Sequence, residues 1–390
     1  MKEKKIKTFI FIIISLAVIF SLSVCNDDIF YQISQEIELK DPTIKGSPTN
    51  LVIFNKRIYV ASGERLYSYN YESGADKKKR WSKETLKYDS KTYSVGQLAA
   101  TDSYLYALCY RDEDNEIEAK LLKGKLIDSK NTIEWEDPWN ETDAEFNLLQ
   151  SIYSANNILY IGAQKKGHDS YAVHTIDSTG INIDIFKGEK QTRLNGVAID
   201  SADVFLCTES GIYTNNGNDF NPISTLAFNG IYTLPDNKIV ATTRSGYLYS
   251  VEKTEVKKIT NLPENRHTTG AIALWQEGNN KLLLVGQTDI EYSTSTGHTY
   301  GYMELKLDEN GDFPADAKFT APGIGTVSTV SDNKSYSSSM GAIPVNHLLQ
   351  VPDNIDPEMP IFASTQKEGV WSCKTRDSGK KQERIWNAED

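Results

Sequence analysis

Histidine, cysteine, methionine and proline are scarce in this 390-residue chain, at five, four, four and 12 residues. The five histidines (His168, His174, His267, His298 and His347) make no His-x-His or His-Glu-x-x-His spacing and none that pairs with cysteine, which excludes a metal site written as a linear motif. No Cys-x-x-Cys occurs, and a chain this long needs no disulfide staples, so Cys109, Cys207 and Cys373 read as buried free thiols inside apolar strands. A glycine-rich phosphate loop, a Gly-x-Ser-x-Gly elbow and a paired-carboxylate motif are all missing. No catalytic residue is therefore assigned, and the chain reads as a non-enzyme. Long amphipathic helical stretches are missing after residue 25, which excludes a helical bundle or solenoid. Positive charge is also short. The formal net charge is −11, and because four Lys and one Glu in residues 1–24 contribute +3, the remainder carries −14. Such a surface repels nucleic-acid phosphates and anionic headgroups, so nucleic acid is not an expected partner.

What is present is a repeat. Arg57-Ile58-Tyr59-Val60-Ala61-Ser62-Gly63-Glu64-Arg65-Leu66-Tyr67 is a β-branched and aromatic strand, a tight turn and a second strand, and versions of it recur seven times. Its third residue falls at Tyr59, Tyr106, Tyr160, Phe205, Val240, Leu284 and Phe362, with intervals of 47, 54, 45, 35, 44 and 78. A period near forty-five with four short strands per unit predicts an all-β, seven-bladed β-propeller of four-stranded antiparallel blades. The motif supplies the second strand, preceded by an inner strand such as Asn50–Phe54. It is followed by a Leu-Tyr third strand and an outer fourth strand such as Ile181–Phe186. The long last interval holds a polar Gly/Ser-rich segment, Ala321–Ser339, read as an inserted loop because it lacks alternating apolar residues. Ile29–Leu39 is the expected closing strand, against the blade that holds Trp371 and Trp386.

Met1–Lys7 is basic and Phe9–Val24 is an uncharged apolar run of signal-peptide length. The run ends Leu22-Ser23-Val24-Cys25, which resembles the lipobox of bacterial lipoproteins; Val24 departs from the Gly, Ala or Ser found there in that family. The resemblance implies a diacylglycerol thioether and an amide-linked, palmitate-type chain on Cys25, enough for stable anchoring. Cleavage after Ser23, or an uncleaved anchor, are the alternatives. The expected organisation is a signal peptide at 1–24, a lipidated terminus, tether and closing strand at 25–45, and the propeller at 46–390.

The loops between second and third strands, and those joining one blade to the next, gather on one face of a propeller. Here they are expected to be long at Tyr110–Asn115, Gln164–Ser170 and Gln287–His298, joined by Ala321–Ser339. Trp139, in a loop after Asp137-Pro138, together with Tyr292 and His298, are the candidate ligand contacts. Ser293–Tyr300 resembles the Asp-box of sialidase-like propellers, with Ser295 in place of the Asp and Tyr300 in place of the Trp; the sialidase Arg-Ile-Pro signature does not occur. Asp308, Asn310, Asp312 and Asp316 have calcium-loop spacing, with Phe313 where glycine is expected, and the same residues also make an ordinary hairpin. No cofactor is expected beyond that calcium option. As a whole the chain resembles propeller lipoproteins of the bacterial envelope. The function implied is a membrane-anchored monomeric module that binds an envelope protein or a glycan. An enzyme acting on glycans or peptides, or a host- or matrix-binding surface protein, is the alternative.

Overall fold

The computed structural model describes residues 44–73, 80–113, 116–127, 132–139, 148–165, 170–188, 192–201, 203–216, 219–263, 266–277, 280–288, 301–320, 322, 340, 343–377 and 382–389. Seven four-stranded antiparallel sheets follow one another along this part of the chain, as blades I to VII. They span 52–85, 94–136, 148–188, 194–224, 230–261, 268–320 and 345–388. Each repeat of the motif occupies a second strand: Arg57–Ser62, Leu105–Glu113, Ile158–Gln164, Asp203–Thr208, Ile239–Thr242, Asn280–Gln287 and Ile361–Thr365. The seven-bladed propeller expected from the repeat is therefore the fold, and the long last interval adds no eighth blade among the described residues.

The second strands lack polar alternation because both their faces are covered. Ile239–Thr242 and Ile361–Thr365 are buried at every residue, as expected of a strand sandwiched between neighbouring sheets. Outer strands differ: Thr132–Glu136 alternates between exposed and half-buried positions. Seven apolar clusters fill the seven blade junctions. Between blades I and II, for example, Tyr59, Ala61 and Leu66 meet Leu98, Leu105 and Ala107. Between IV and V, Phe205 and Cys207 meet Phe228 and Ile239.

Inner strands are stapled to their neighbours by polar groups. The Asn50 amide donates to Leu98 O at 2.7 Å and accepts from Leu98 N at 2.9 Å, joining blades I and II. Ile152 N donates to Gln97 Oε1, Leu194 N to the Tyr171 hydroxyl, and Asn195 and Asn229 donate to Phe228 O and Thr268 O. At the VI–VII junction Val345 N reaches Gly301 O. Blades V and VI pack closely: a Cβ on Gly230 would lie 2.2 Å from Gly270 O, and Gly270 itself has φ +88°. Only glycine fits there.

The ends of the ring meet at blades VII and I. Ile44 is fully buried in the cluster there, with Tyr69, Trp81, Val351 and Phe362. Gly46 bridges Glu368 in parallel, Gly369 N donates to Gly46 O at 3.1 Å, and Lys367 N donates to Ser47 Oγ at 3.1 Å. Tyr69 donates to Asp356 Oδ2 at 2.6 Å, the Trp81 indole to Glu389 Oε2 at 2.8 Å, and Leu51 N to His347 Nδ1 at 3.3 Å. The expected closing strand at 29–39 lies outside the described residues. Within them, the blade that holds Trp371 and Trp386 draws all four of its strands from 345–388.

Candidate functional face

The two ends of the propeller are built differently. At one end the first and second strands of blades I and III join through tight turns, with Asn55–Lys56 and Asn156–Asn157 both at positive φ (47° and 59°; 47° and 63°), while blade VII uses the longer connection 351–360. The positive-φ pairs have the type I′ geometry that matches strand twist. At the other end second-to-third turns meet the connectors between blades. Leu86 N donates to Glu64 O, Glu209 N to Arg193 O, Leu262 N to Gly246 O and Thr288 N to His267 O. This second end carries the longer features and is the loop-rich face.

Its tallest described feature is a β-hairpin. Tyr110–Asn115 was expected as a loop, but the strands Leu105–Glu113 and Glu116–Ile127 stay paired out to Glu113 opposite Glu116. The inner strand of blade II pairs no farther than Ser94 with Tyr110. Three residue pairs therefore overhang the blade, a rise of roughly 10 Å. One side of the base docks on the connector from blade I. There Lys120 pairs with Asp137 at 2.9 Å and lies 5.2 Å from the Tyr88 ring centroid. Tyr110, Asp112, Ile117 and Ala119 share the other side, because cross-strand partners point the same way. Tyr110 and Ala119 pack on the cluster between blades II and III, so this side turns toward blade III. Ile117 stands above it with 71% of its surface exposed.

Around the mouth from the hairpin lie Leu148, at the start of blade III, Arg193, at the start of blade IV, and Leu226, in the connector to blade V. Ile117, Leu148 and Leu226 are the exposed large hydrophobic residues among those described, and all three lie on this face. Arg193 is exposed. Burial raises the hydroxyl pKa of Tyr110, and of Tyr153 to about 12, and in each case the Arg193 charge pulls the other way. The Tyr110 ring lies against Gly96, where a Cβ would come within 2.3 Å of it. Tyr171 is anchored by the Leu194 N–H at 2.7 Å, and Gln150 and Gln164 bond to each other at 2.5 Å beside it.

No protein-family profile and no curated protein matches this chain. Solved structures do. One described as "YCF48 bound to D1 peptide" aligns over 85% of this chain and 95% of that one, at 10% identity and a TM-score of 0.49. The computationally designed Ika8 protein aligns over 85% and 98%, at 11% identity and a TM-score of 0.44.

The candidate residues read from the sequence fall in different places. Cys25, Tyr292, His298 and the segment 321–339, apart from Gly323's neighbour Pro322, lie outside the described residues. Trp139 is half-buried, its ring edge-on to buried His174 at 5.2 Å, within the cluster between blades II and III. Asp308, Asn310, Asp312 and Asp316 are exposed in the turn between the third and fourth strands of blade VI, at the end opposite the loop-rich face. There Asp312 N donates to Asp308 Oδ1 at 2.7 Å and Asp312 pairs with Lys238 at 2.5 Å, the bonds of a hairpin turn. Among the described residues no group of three or more His, Cys, Asp or Glu is placed to hold a metal ion. Arg193 and Ile117 were not singled out from the sequence. The available signal was the amide or polar residue that opens the inner strands, as at Asn50, Gln150, Asn195 and Asn229, which marks where each strand reaches the mouth.

Proposed function

We propose that this propeller is a non-enzymatic binding or scaffold module of the bacterial envelope, held to a membrane by lipid on Cys25, whose loop-rich face docks protein partners. One observation carries the reading: every exposed large hydrophobic residue among those described lies on that face. Single exposed apolar residues are ordinary on a surface, but their segregation to one end of a rigid ring is what a docking face requires. The opposite end carries tight Asn-bearing turns in blades I and III and longer connections at 307–318 and 351–360, with no exposed large hydrophobic residue among those described.

In-cell photo-crosslinking tests it. A photoreactive residue at Ile117, Leu148 or Leu226 should capture a discrete envelope protein, whereas one at Lys56 or Asn157 on the opposite end should not. Capture from the opposite end alone, or none from either end, would remove the reading.

A further inference from the structure

The blade II hairpin carries the most exposed of the large hydrophobic residues on the docking face: Ile117 at 71%, against 48% for Leu226 and 38% for Leu148. Its sequence, Arg111-Asp112-Glu113-Asp114-Asn115-Glu116-Ile117-Glu118, holds five acids against one base. Apolar exposure and negative charge therefore meet on one raised element.

The strand register places these residues. Ile117 lies opposite exposed Asp112, so the two share the side that turns toward blade III. On the other side Arg111 lies opposite Glu118, which Lys120 approaches at 4.0 Å, so charge near the base is balanced. The last pair is Glu113 with Glu116, residues of like charge in opposed positions, an arrangement that works against the hairpin itself. Charged residues do guard an open strand edge against pairing with other strands, but lysine serves that role as well as an acid. An edge guard also leaves the exposure of Ile117 unexplained. The arm is firm at its base: Lys120 pairs with Asp137 at 2.9 Å, and Tyr110 and Ala119 pack with Leu149 in the cluster between blades II and III.

We propose that this hairpin is the arm by which the docking face holds its partner, and that it recognises a basic protein segment. An apolar side chain of the partner packs on Ile117, while flanking Lys or Arg residues meet Asp112 and the Glu113–Glu116 pair. Opposite charge across the contact steers encounter and fixes register, and cations brought to the last pair relieve the repulsion that the free hairpin carries. An acidic arm repels anionic headgroups and phosphates, so neither a membrane surface nor a nucleic acid is the occupant. The proposal rests on the docking role of this face and specifies which element holds the partner and by what chemistry.

The test uses the full-length chain and capped nonapeptides in three sets. One has an Ile or Leu centre flanked by Lys and Arg, one the same centre flanked by Gln, and one a Ser centre flanked by Lys and Arg. Two or three exposed charge pairs predict about three- to thirty-fold tighter binding of the basic apolar set than of the Gln-flanked set, a margin that added salt reduces. Asp112→Asn and Glu116→Gln should each narrow it. Glu116→Gln also removes the like-charged pair, so its melting midpoint should hold or rise while binding falls. Ile117→Ser should erase the preference for an apolar centre over Ser. Equal binding of the basic and Gln-flanked sets, lost in Ile117→Ser, would overturn the charge recognition and leave the docking face standing. A basic preference that survives Ile117→Ser and Asp112→Asn but is lost in Leu226→Ser would overturn the hairpin as the contact, again with the docking face intact. No binding of any set would overturn the proposal, and the docking face falls with it only where the crosslinks from Ile117, Leu148 and Leu226 are absent as well.

Discussion

His347 shows how one side chain ties ring closure to pH. It accepts from Leu51 N through Nδ1, so its proton sits on Nε2, and burial holds its pKa down to about 4. The unfolded chain takes up a proton near pH 6.5, the folded one only near pH 4. Between those values the unfolded state binds more protons, so stability is complete above about pH 6.5 and is lost as pH falls toward 4. The protonated ring would also turn a donor toward the Leu51 N–H. Urea midpoints measured from pH 7.5 to 4 should fall, and His347→Gln, which keeps an acceptor without a titrating group, should flatten part of that slope; an equal slope in the variant would discount His347. Gly230 is a second single-residue constraint. Gly230→Ala drives a methyl into Gly270 O, and overpacking of that kind costs about 1–3 kcal/mol, read as a lower urea midpoint at constant m.

Among the elements, the seam between blades VII and I is distinctive because buried polar side chains close it. Glu389 accepts from the Trp81 indole and from the Ser372 hydroxyl, while Asp356 accepts from Tyr69, whose ring stacks near Trp81 and Phe362 at 5.1 Å from each. Removing one partner strands the other in a buried site. Glu389→Ala should therefore cost about 1–3 kcal/mol, and adding Trp81→Phe should cost less than the sum of the two single changes, a coupling a double-mutant cycle measures. Additive losses would mean the pair does not hold the seam. The same elements show what the sequence makes legible. Second strands such as Ile361–Thr365 are continuous apolar runs because neighbours cover both faces, so all seven could be read directly. Fourth strands at Asp219–Ser224, which contains Pro222, and Phe319–Thr320 could not, since a short edge strand needs neither alternation nor bulk. The hairpin of blade II reads as a loop in sequence because Asp112, Glu113 and Glu116 are polar, and its pairing is set by register rather than composition. Arg193 carries no linear signal at all: only the closed ring brings its charge to bear on Tyr110 from blade II and Tyr153 from blade III.

At the scale of the whole molecule, closing the ring buries every junction between blades, and with them the thiols. Cys109 sits in the cluster between blades I and II, Cys207 between IV and V and Cys373 between VI and VII, each with no exposed surface. Burial raises the pKa of Cys109 and Cys207, removing the thiolate that alkylating reagents need. A maleimide added to the native protein should then modify none of the three, and all three should react together in denaturant, because opening one junction breaks the closure on which the others depend. Cys25 is the fourth cysteine, and it makes the same assay report on anchoring. If Cys25 carries the proposed thioether, protein extracted from membranes gives no native labelling and three labels when denatured. Unlipidated protein gives one native label and four in total. Mass spectrometry of the N-terminal peptide identifies which form is present, and Cys25→Ala should release the protein to the soluble fraction where lipid alone holds it. Three native labels, or stepwise exposure of Cys109, Cys207 and Cys373 at different denaturant concentrations, would show that the blades open independently and that closure does not bind them into one cooperative unit.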